Sequence, residues 1–292
     1  MITGKNHTRD LPEHLAVQFF MYGKNKTNGK RLLLSRDVTA SEQQDRMRRD
    51  FVANVSHEIR TPLTVLSGFV ETLQTLPLSP EETERYLHLM AQQAGRMEHL
   101  VEDLLVLSSL EGSPLPDTQA TFALADLIPA CVSDAMALSS VLAEQQGAQP
   151  HPITIDWGNA QEVQVRGSRS EIQSALTNLL SNAVRYTPLG SPIVVSTALQ
   201  ASGDLQVQVK DSGPGIAREH LPRLTERFYR VDRSRSRETG GTGLGLAIVK
   251  HIAQRHNATL QISSEEGVGS TFSLSFPEGR LQQSAKAEKA KV

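Results

Sequence analysis

One helix-length stretch, FVANVSHEIRTPLTVLSGF at residues 51–69, constrains this chain most. Val52, Val55, Ile59, Leu63, Leu66, Val70 and Leu73 recur at spacings of three and four, which draws one apolar stripe along a helix. At roughly 100° per residue, His57 stands about 140° from that stripe, and Thr61, one turn on, shares its side. Glu58 flanks both. Pro62 lies inside the run, where it has no N–H for the carbonyl of Glu58 and loosens the helix beside the histidine. Such a loosened turn costs stability and so calls for a reason. A reactive imidazole on the outer face competes here with the plainer reading, a surface histidine beside an acid. A zinc-protease helix is excluded, because its second histidine would fall where Thr61 stands.

The rest of the chain sets bounds on what such a helix can serve. Its 292 residues suffice for two modest domains with appendages. A net charge of −2 and few aromatics argue against a nucleic-acid partner or a polybasic membrane contact. The lone Cys131 rules out an internal disulfide and a cysteine-based metal site, which suits a reducing cytoplasm. No apolar run approaches the roughly 18–20 residues of a membrane span, and the start lacks a signal-peptide pattern. The expectation is a soluble, cytoplasmic chain with no membrane span.

Residues 1–30 read as mixed loop and strand, followed by a short strand at 31–36 and a polar helical lead through Arg49. The first long helix is expected to end near Leu76. Ser79 and Glu82 then write a capping box with Pro80 at the first helical position. Leu87, Met90, Ala94, Met97, Val101, Leu104 and Ser108 form a heptad seam on the second helix. A two-helix hairpin with that seam cannot bury both faces, so dimerisation into a four-helix bundle is expected. Packing of the hairpin on its own chain's second domain is the alternative.

Proline and small polar residues at 111–120 mark a boundary. Beyond it the pattern predicts a helix at 124–146, strands near 153–156 and 162–166, and a helix to Tyr186 opened by a second Ser168–Glu171 capping box. On that helix Asn178, Asn182 and Arg185 gather on one flank, at a cost in helix propensity that binding would justify. Strands follow at 192–198 and 205–211. Leu205, Val207 and Val209 share a face, and the parity puts the carboxylate of Asp211 inside, where it needs a donor. Gly213 and Gly215 come next and suit close approach to a flat ligand. After a polar, arginine-rich lid come Gly240, Gly241, Gly243 and Gly245 at the start of a helix near Leu244, a pattern that presents backbone N–H groups to phosphate. The glycine spacing is wrong for a dinucleotide-binding turn, and the P-loop lysine is missing. Strands near 258–263 and 270–276 close the sheet, and 279–292 read as a frayed, charged tail.

SHEIRTPLT at 56–64 resembles the phosphoacceptor box of the sensor histidine kinases of two-component systems. NLLSNAVRYT, DSGPGI, RFYRVD and GTGLGLAIV, in that order, resemble the ATP-binding domain that histidine kinases share with gyrase-type ATPases. The resemblance covers residues 31–277, and within the family the linker and acceptor box look most like phosphate-regulon sensors, which carry N-terminal membrane anchoring.

It implies an α+β fold: a dimeric helical-hairpin (four-helix bundle) phosphoacceptor domain plus an α/β-sandwich ATP-binding domain of the gyrase/histidine-kinase (Bergerat) type. The domains expected are a PAS-like remnant and linker at 1–40, the acceptor hairpin at 41–112, a linker at 113–120, the ATP-binding domain at 121–278 and a disordered tail at 279–292. By the same resemblance His57 is phosphorylated from ATP, Glu58 takes its proton, and Thr61 orients water for dephosphorylation of the partner. Asn182, with Asn178, would hold Mg²⁺. Arg185 would touch phosphate, Tyr186 would line the adenine pocket, and Asp211 would bind the adenine amine above Gly213 and Gly215. Arg230 would reach the γ-phosphate, while Gly241, Gly243 and Gly245 line the triphosphate. The expected partners are a second copy of the chain and the receiver domain of a response regulator, in phosphate-starvation signalling. Thr225 departs from the family, which places an aromatic there. An ATPase clamp without phosphohistidine would leave the HEIRTP helix unexplained, and a dead scaffold would not keep this set of motifs.

Overall fold

The computed structural model describes residues 15–22, 30–231 and 241–283. Residues 232–240, most of the expected lid and Gly240 among them, and the tail beyond 283 lie outside the described residues. The chain divides into two compact units, residues 1–71 and 72–292.

In the first unit, β1 (Leu15–Tyr22) and β2 (Lys30–Asp37) pair antiparallel, with Leu15 opposite Asp37 and Tyr22 opposite Lys30. Asp37 Oδ1 accepts from the N–H of Thr39 and so starts α1 (Thr39–Thr75), a helix of 37 residues with Pro62 inside it. A pair of strands feeding a helix fits the tail of a PAS domain and a plain hairpin alike.

The second unit opens with α2 (Pro80–Gly112), whose capping box is as expected: Ser79 Oγ accepts from Glu82 N–H, and Glu82 accepts from Ser79 N–H. Leu100, Leu107 and Leu110 of α2 are buried, whereas Leu87 and Val101 of the expected seam are exposed. The C-terminal half of α2 thus packs on its own chain's second domain, the alternative weighed above, through a face one residue round from the seam. This packing puts the division between units inside the expected 41–112 domain.

Beyond α2, β3 (Thr121–Ala123) leads into α3 (Leu124–Gln146). By length and composition alone α3 is apolar enough to cross a membrane, which the reading for apolar runs missed. In the fold it is a core helix: Leu124, Leu127, Ile128 and Cys131 are all but inaccessible, and α3 packs on α4 (Arg169–Tyr186). The main sheet runs β4 (Ile153–Asp156), β6 (Ile193–Leu199), β7 (Leu205–Asp211), β9 (Gly269–Phe276), β8 (Thr259–Glu265), with only the β4–β6 pair parallel. Ile193, Val195, Val207, Val209, Phe272 and Leu274 supply its buried face. Alternation of side chains along β6 and β7 makes this possible, since every second residue turns inward and Ile193, Val195, Leu205, Val207 and Val209 fall on that parity.

A second sheet orders β10 (Leu281–Gln283), β5 (Val163–Arg166) and β3. The frayed tail expected from 279 is therefore corrected as far as Gln283: Leu281 pairs with Val165, and the side chain of Arg280 is buried. The Ser168–Glu171 box is also half right. Ser168 Oγ accepts from Glu171 N–H, but Ser168 N–H donates to Nε2 of His256 at 3.1 Å, and the Glu171 carboxylate turns to Arg255. Arg255 ends α5 (Gly245–Arg255) and uses all five of its N–H groups, on both Glu171 oxygens and the carbonyls of Leu110, Ser113 and Pro114. Burial holds the His256 imidazole neutral by pulling its pKa down, so its 3.8 Å approach to Glu171 is not an ion pair; Nδ1 donates to Ile252 O at 2.9 Å.

Candidate nucleotide site and phosphoacceptor helix

Helix α1 presents the acceptor residues. His57 is exposed and Glu58 half-buried beside it. Pro62 has no N–H for the Glu58 carbonyl, and beside it Thr61 Oγ1 donates to the carbonyl of His57 at 3.1 Å. Ser56 and Thr64 bond the carbonyls of Val52 and Arg60 in the same way, each at 2.9 Å. Thr61 therefore keeps its oxygen lone pairs outward while its proton is engaged. Of the apolar stripe, Val52, Leu63 and Val70 remain exposed.

In the second unit the structure gathers the other expected residues from α4, the end of β7 and the start of α5. Asp211 is buried, 7% exposed, and its Oδ1 accepts from the N–H groups of Gly213 (2.9 Å) and Ser270 (3.2 Å). Burial raises the pKa of this carboxyl, and the two N–H bonds offset part of that. Both bonds converge on one oxygen, so Oδ2 is the atom left for a ligand's donor. Tyr186 closes α4 beside it: a Cβ at Gly213 would lie 3.1 Å from the Tyr186 carbonyl, and one at Gly241 would lie 3.3 Å from its hydroxyl.

On the flank of α4, the Asn178 amide donates to Ser174 O at 2.9 Å, which leaves Oδ1 aimed at the first turn of α5. A Cβ on Gly245 would meet that oxygen at 2.5 Å, so any larger residue there would displace the Asn178 side chain. Asn182 lies one turn on, half-buried. Arg185 Nε donates to Ser181 Oγ at 3.2 Å, and burial lowers its pKa, a cost that an anion nearby would offset. The Asn178 oxygen beside the glycine turn, with Asn182 one helical turn away, supplies hard donors of the kind Mg²⁺ takes, and that ion binds with few protein ligands alongside substrate phosphate oxygens. The residues fit that ion.

Gly243 has φ +75°, and Phe228, at φ 63°, donates its N–H to the Gly243 carbonyl at 2.8 Å. The Arg230 side chain lies against the same glycine, with Cγ 3.3 Å from where a Cβ would stand. Gly215 has φ +72°, and a Cβ there would come within 2.0 Å of the Glu265 carbonyl, so the turn into β9 also demands glycine at this position. A cleft of about 970 Å³ opens beside Asp211, lined by Lys210, Ile216, Ser264 and Thr271. It shares Asp211 with the expected set but is not lined by Asn178, Tyr186 or Gly241. Thr225 accepts from Lys250 Nζ at 3.3 Å, a polar contact in place of the family's aromatic.

Several contributors escaped the sequence reading. Ser270 acts through its backbone, which leaves no trace in the side-chain pattern, and the positive φ of Phe228 has none either. Asp103 is different: it sits with Leu100, Leu107 and Leu110 on the face of α2 that packs on the second domain, and its carboxylate accepts from the Thr242 hydroxyl in the glycine turn. An acid inside an apolar stripe at spacings of three and four was a legible signal.

Residues 47–113 match the His Kinase A (phospho-acceptor) domain, and residues 167–280 match the histidine kinase-, DNA gyrase B- and HSP90-like ATPase family. The chain is 46% identical over 280 residues to the phosphate regulon sensor protein PhoR of Pseudomonas aeruginosa. This chain belongs to the sensor histidine kinases. The PhoR alignment covers 94% of the kinase chain described here and 60% of PhoR, so this histidine kinase chain spans less than two thirds of that relative's length. The solved chain of the Acinetobacter baumannii histidine kinase AdeS is 26% identical, with a TM-score of 0.57 over 76% of this chain and 98% of that one. The fold is also that of the histidine kinase ThkA, solved in complex with the response regulator protein TrrA (TM-score 0.61, 21% identity, covering 90% of this kinase and 74% of that chain). A helical phosphoacceptor domain and an α/β ATP-binding domain are thus both present in this kinase.

Proposed function

We propose that this protein autophosphorylates His57 from ATP and passes the phosphoryl group to an aspartate in the receiver domain of a response regulator, in phosphate-starvation signalling. The observation that carries the reading is the pairing, in one chain, of an exposed His57 in an HEIRTP turn with a buried Asp211 and a glycine turn on α5. The 46% identity to PhoR supports the pathway, and the ThkA–TrrA complex supports the kind of partner.

In this reading Asp211 Oδ2 accepts from the exocyclic amine of adenine, while Gly213 and Ser270 hold Oδ1. Tyr186 flanks the base, with Gly213 and Gly215 shaping the turn beneath it. Backbone N–H groups at Gly241, Gly243 and Gly245, together with the start of α5, receive phosphate oxygens. Arg185 and Arg230 supply positive charge there. Asn182 and Asn178 would hold Mg²⁺, which when bound neutralises charge on the phosphates. A ring nitrogen of His57 attacks the γ-phosphorus; the N–P bond forms as the bond to the leaving oxygen of ADP breaks, and Glu58 takes the ring proton. The phosphoramidate then yields its phosphoryl group to the receiver aspartate. Thr61, with lone pairs outward, would orient a water for the reverse duty, hydrolysis of the regulator's acyl phosphate. The reactions belong in the cytoplasm, and a dimer built on the stripe of α1 and the seam of α2 completes the acceptor domain.

His57→Gln is expected to abolish acid-labile labelling from γ-³²P ATP while nucleotide binding persists, and Thr61→Ala to keep labelling but lose regulator dephosphorylation. Label that survived in His57→Gln would overturn the acceptor assignment; undiminished dephosphorylation by Thr61→Ala would remove that residue's role.

A further inference from the structure

Helix α5 starts without a conventional cap. Its N-cap residue is Leu244, which offers no side-chain acceptor. The service comes from Thr242, whose hydroxyl oxygen accepts from Leu244 N–H at 3.2 Å. The proton of that hydroxyl goes to Asp103 Oδ2, on α2. A carboxylate thereby fixes the rotor of Thr242 and strengthens the bond it accepts, since linked hydrogen bonds polarise one another. The chain Asp103, Thr242, Leu244 ends at the glycine turn, between Gly241 and Gly245.

Asp103 is itself held to one register. Leu100, Leu107 and Leu110 are buried on its face of α2, Glu111 pairs with Arg227, and Arg255 grips the carbonyls of Leu110, Ser113 and Pro114. Asp103 is half-buried; burial raises its pKa, and the Thr242 bond, followed by the nearby His99, offsets part of that. A partly desolvated acid held by a hydroxyl is a poor stabiliser and a good rigid acceptor.

We propose that Asp103 is a positioning residue for nucleotide: acting through Thr242, it sets the glycine turn at the start of α5 so that its N–H groups converge on phosphate, which makes ATP affinity depend on a residue of the acceptor-domain helix α2. The proposal rests on the ATP-binding reading above and extends it to a residue that touches no ligand.

The test is the dissociation constant of the purified chain for the non-hydrolysed analogue AMPPNP with Mg²⁺, alongside the melting temperature without nucleotide. Asp103→Ala is expected to weaken binding about tenfold, the size of a lost charge-assisted hydrogen bond. Asp103→Asn keeps an oxygen acceptor and should stay within about twofold of wild type. Thr242→Val should match Asp103→Ala, and the double variant should be no worse than either single one, because both break the same chain. Unchanged or tighter binding by Asp103→Ala, a melting shift with no change in affinity, or additive losses in the double variant would overturn the proposal and leave the ATP reading standing. A wild-type chain that bound no nucleotide would overturn both.

Discussion

Asp211 is a side chain unfavourable for folding to which the proposed function assigns the adenine contact. Its carboxyl is buried at the end of β7, and that burial holds its pKa above the ordinary carboxylate value near 3.9. A raised native pKa means that the stabilising contribution is complete below the unfolded value and is lost as pH climbs through the native one. At pH 7 the ionised group is therefore a net cost. Asp211→Asn keeps an Oδ1 acceptor for Gly213 and Ser270 and removes the charge, so its melting temperature at pH 7 should equal or exceed that of wild type. The difference should shrink toward pH 4. Nucleotide binding, by contrast, should fall about a hundredfold or more, since an amide N–H₂ would face the adenine amine and leave it unpaired. Calorimetric melting and titration with a nucleotide analogue read the two effects separately; a variant that lost stability at pH 7 while still binding would contradict the placement of Oδ2. The parity of β7 made this aspartate legible in the sequence, because Leu205, Val207, Val209 and Asp211 alternate on one face. Its partner Ser270 was not legible, because a backbone N–H has no residue preference.

Between helices, the decisive contact is Arg255. Its guanidinium is 7% exposed and joins α4, through Glu171, to the end of α2, where it satisfies carbonyls left over by the last helical turn. Arg255→Met keeps much of the volume, strands the Glu171 carboxylate and uncaps α2. Loss of one partner of a buried pair is expected to cost about 3–5 kcal/mol, visible as a lower urea midpoint at an unchanged slope. A midpoint shift under about 1 kcal/mol would mean that water replaces the guanidinium. Nothing in a 3.6-residue period announces such a residue: Arg255 ends α5 as many basic residues end helices, and only the tertiary fold brings the α2 terminus to it. Periodicity did place α1, α2 and α4, because apolar residues recur on each at spacings of three and four. It failed where a segment is recruited by a partner far along the chain. β10 is three residues of unremarkable composition that pair with β5, and Gly215 makes room for the backbone of Glu265. On α2 it found one stripe where there are two: Met97, Val101, Leu104 and Ser108 as the seam, and Leu100, Asp103, Leu107 and Leu110 one residue round.

Those two stripes give α2 two obligations, and they bear on how the molecule assembles. One stripe is spent on the chain's own ATP-binding domain. The other leaves Leu87 and Val101 exposed, at 53% and 47%, and on α1 Val52, Leu63 and Val70 are 58%, 51% and 39% exposed along a line of helical spacing. Burying a leucine or valine of this kind is worth about 1.5–3 kcal/mol, so each of these exposed rows favours a partner helix over water. An ionised glutamate in the same place would have to be desolvated on assembly, at a cost greater than the contact it replaces. Leu63→Glu combined with Val70→Glu is therefore expected to convert a dimer into a monomer, read as a halved mass by light scattering at micromolar concentration. Nucleotide affinity should stay within about twofold of wild type, because Asn178, Asp211 and the glycine turn belong to the second unit and make no use of these side chains. A doubly substituted chain that still ran as a dimer would move the interface off this stripe, and a monomeric wild type would show that the stripe is covered by something other than a second copy.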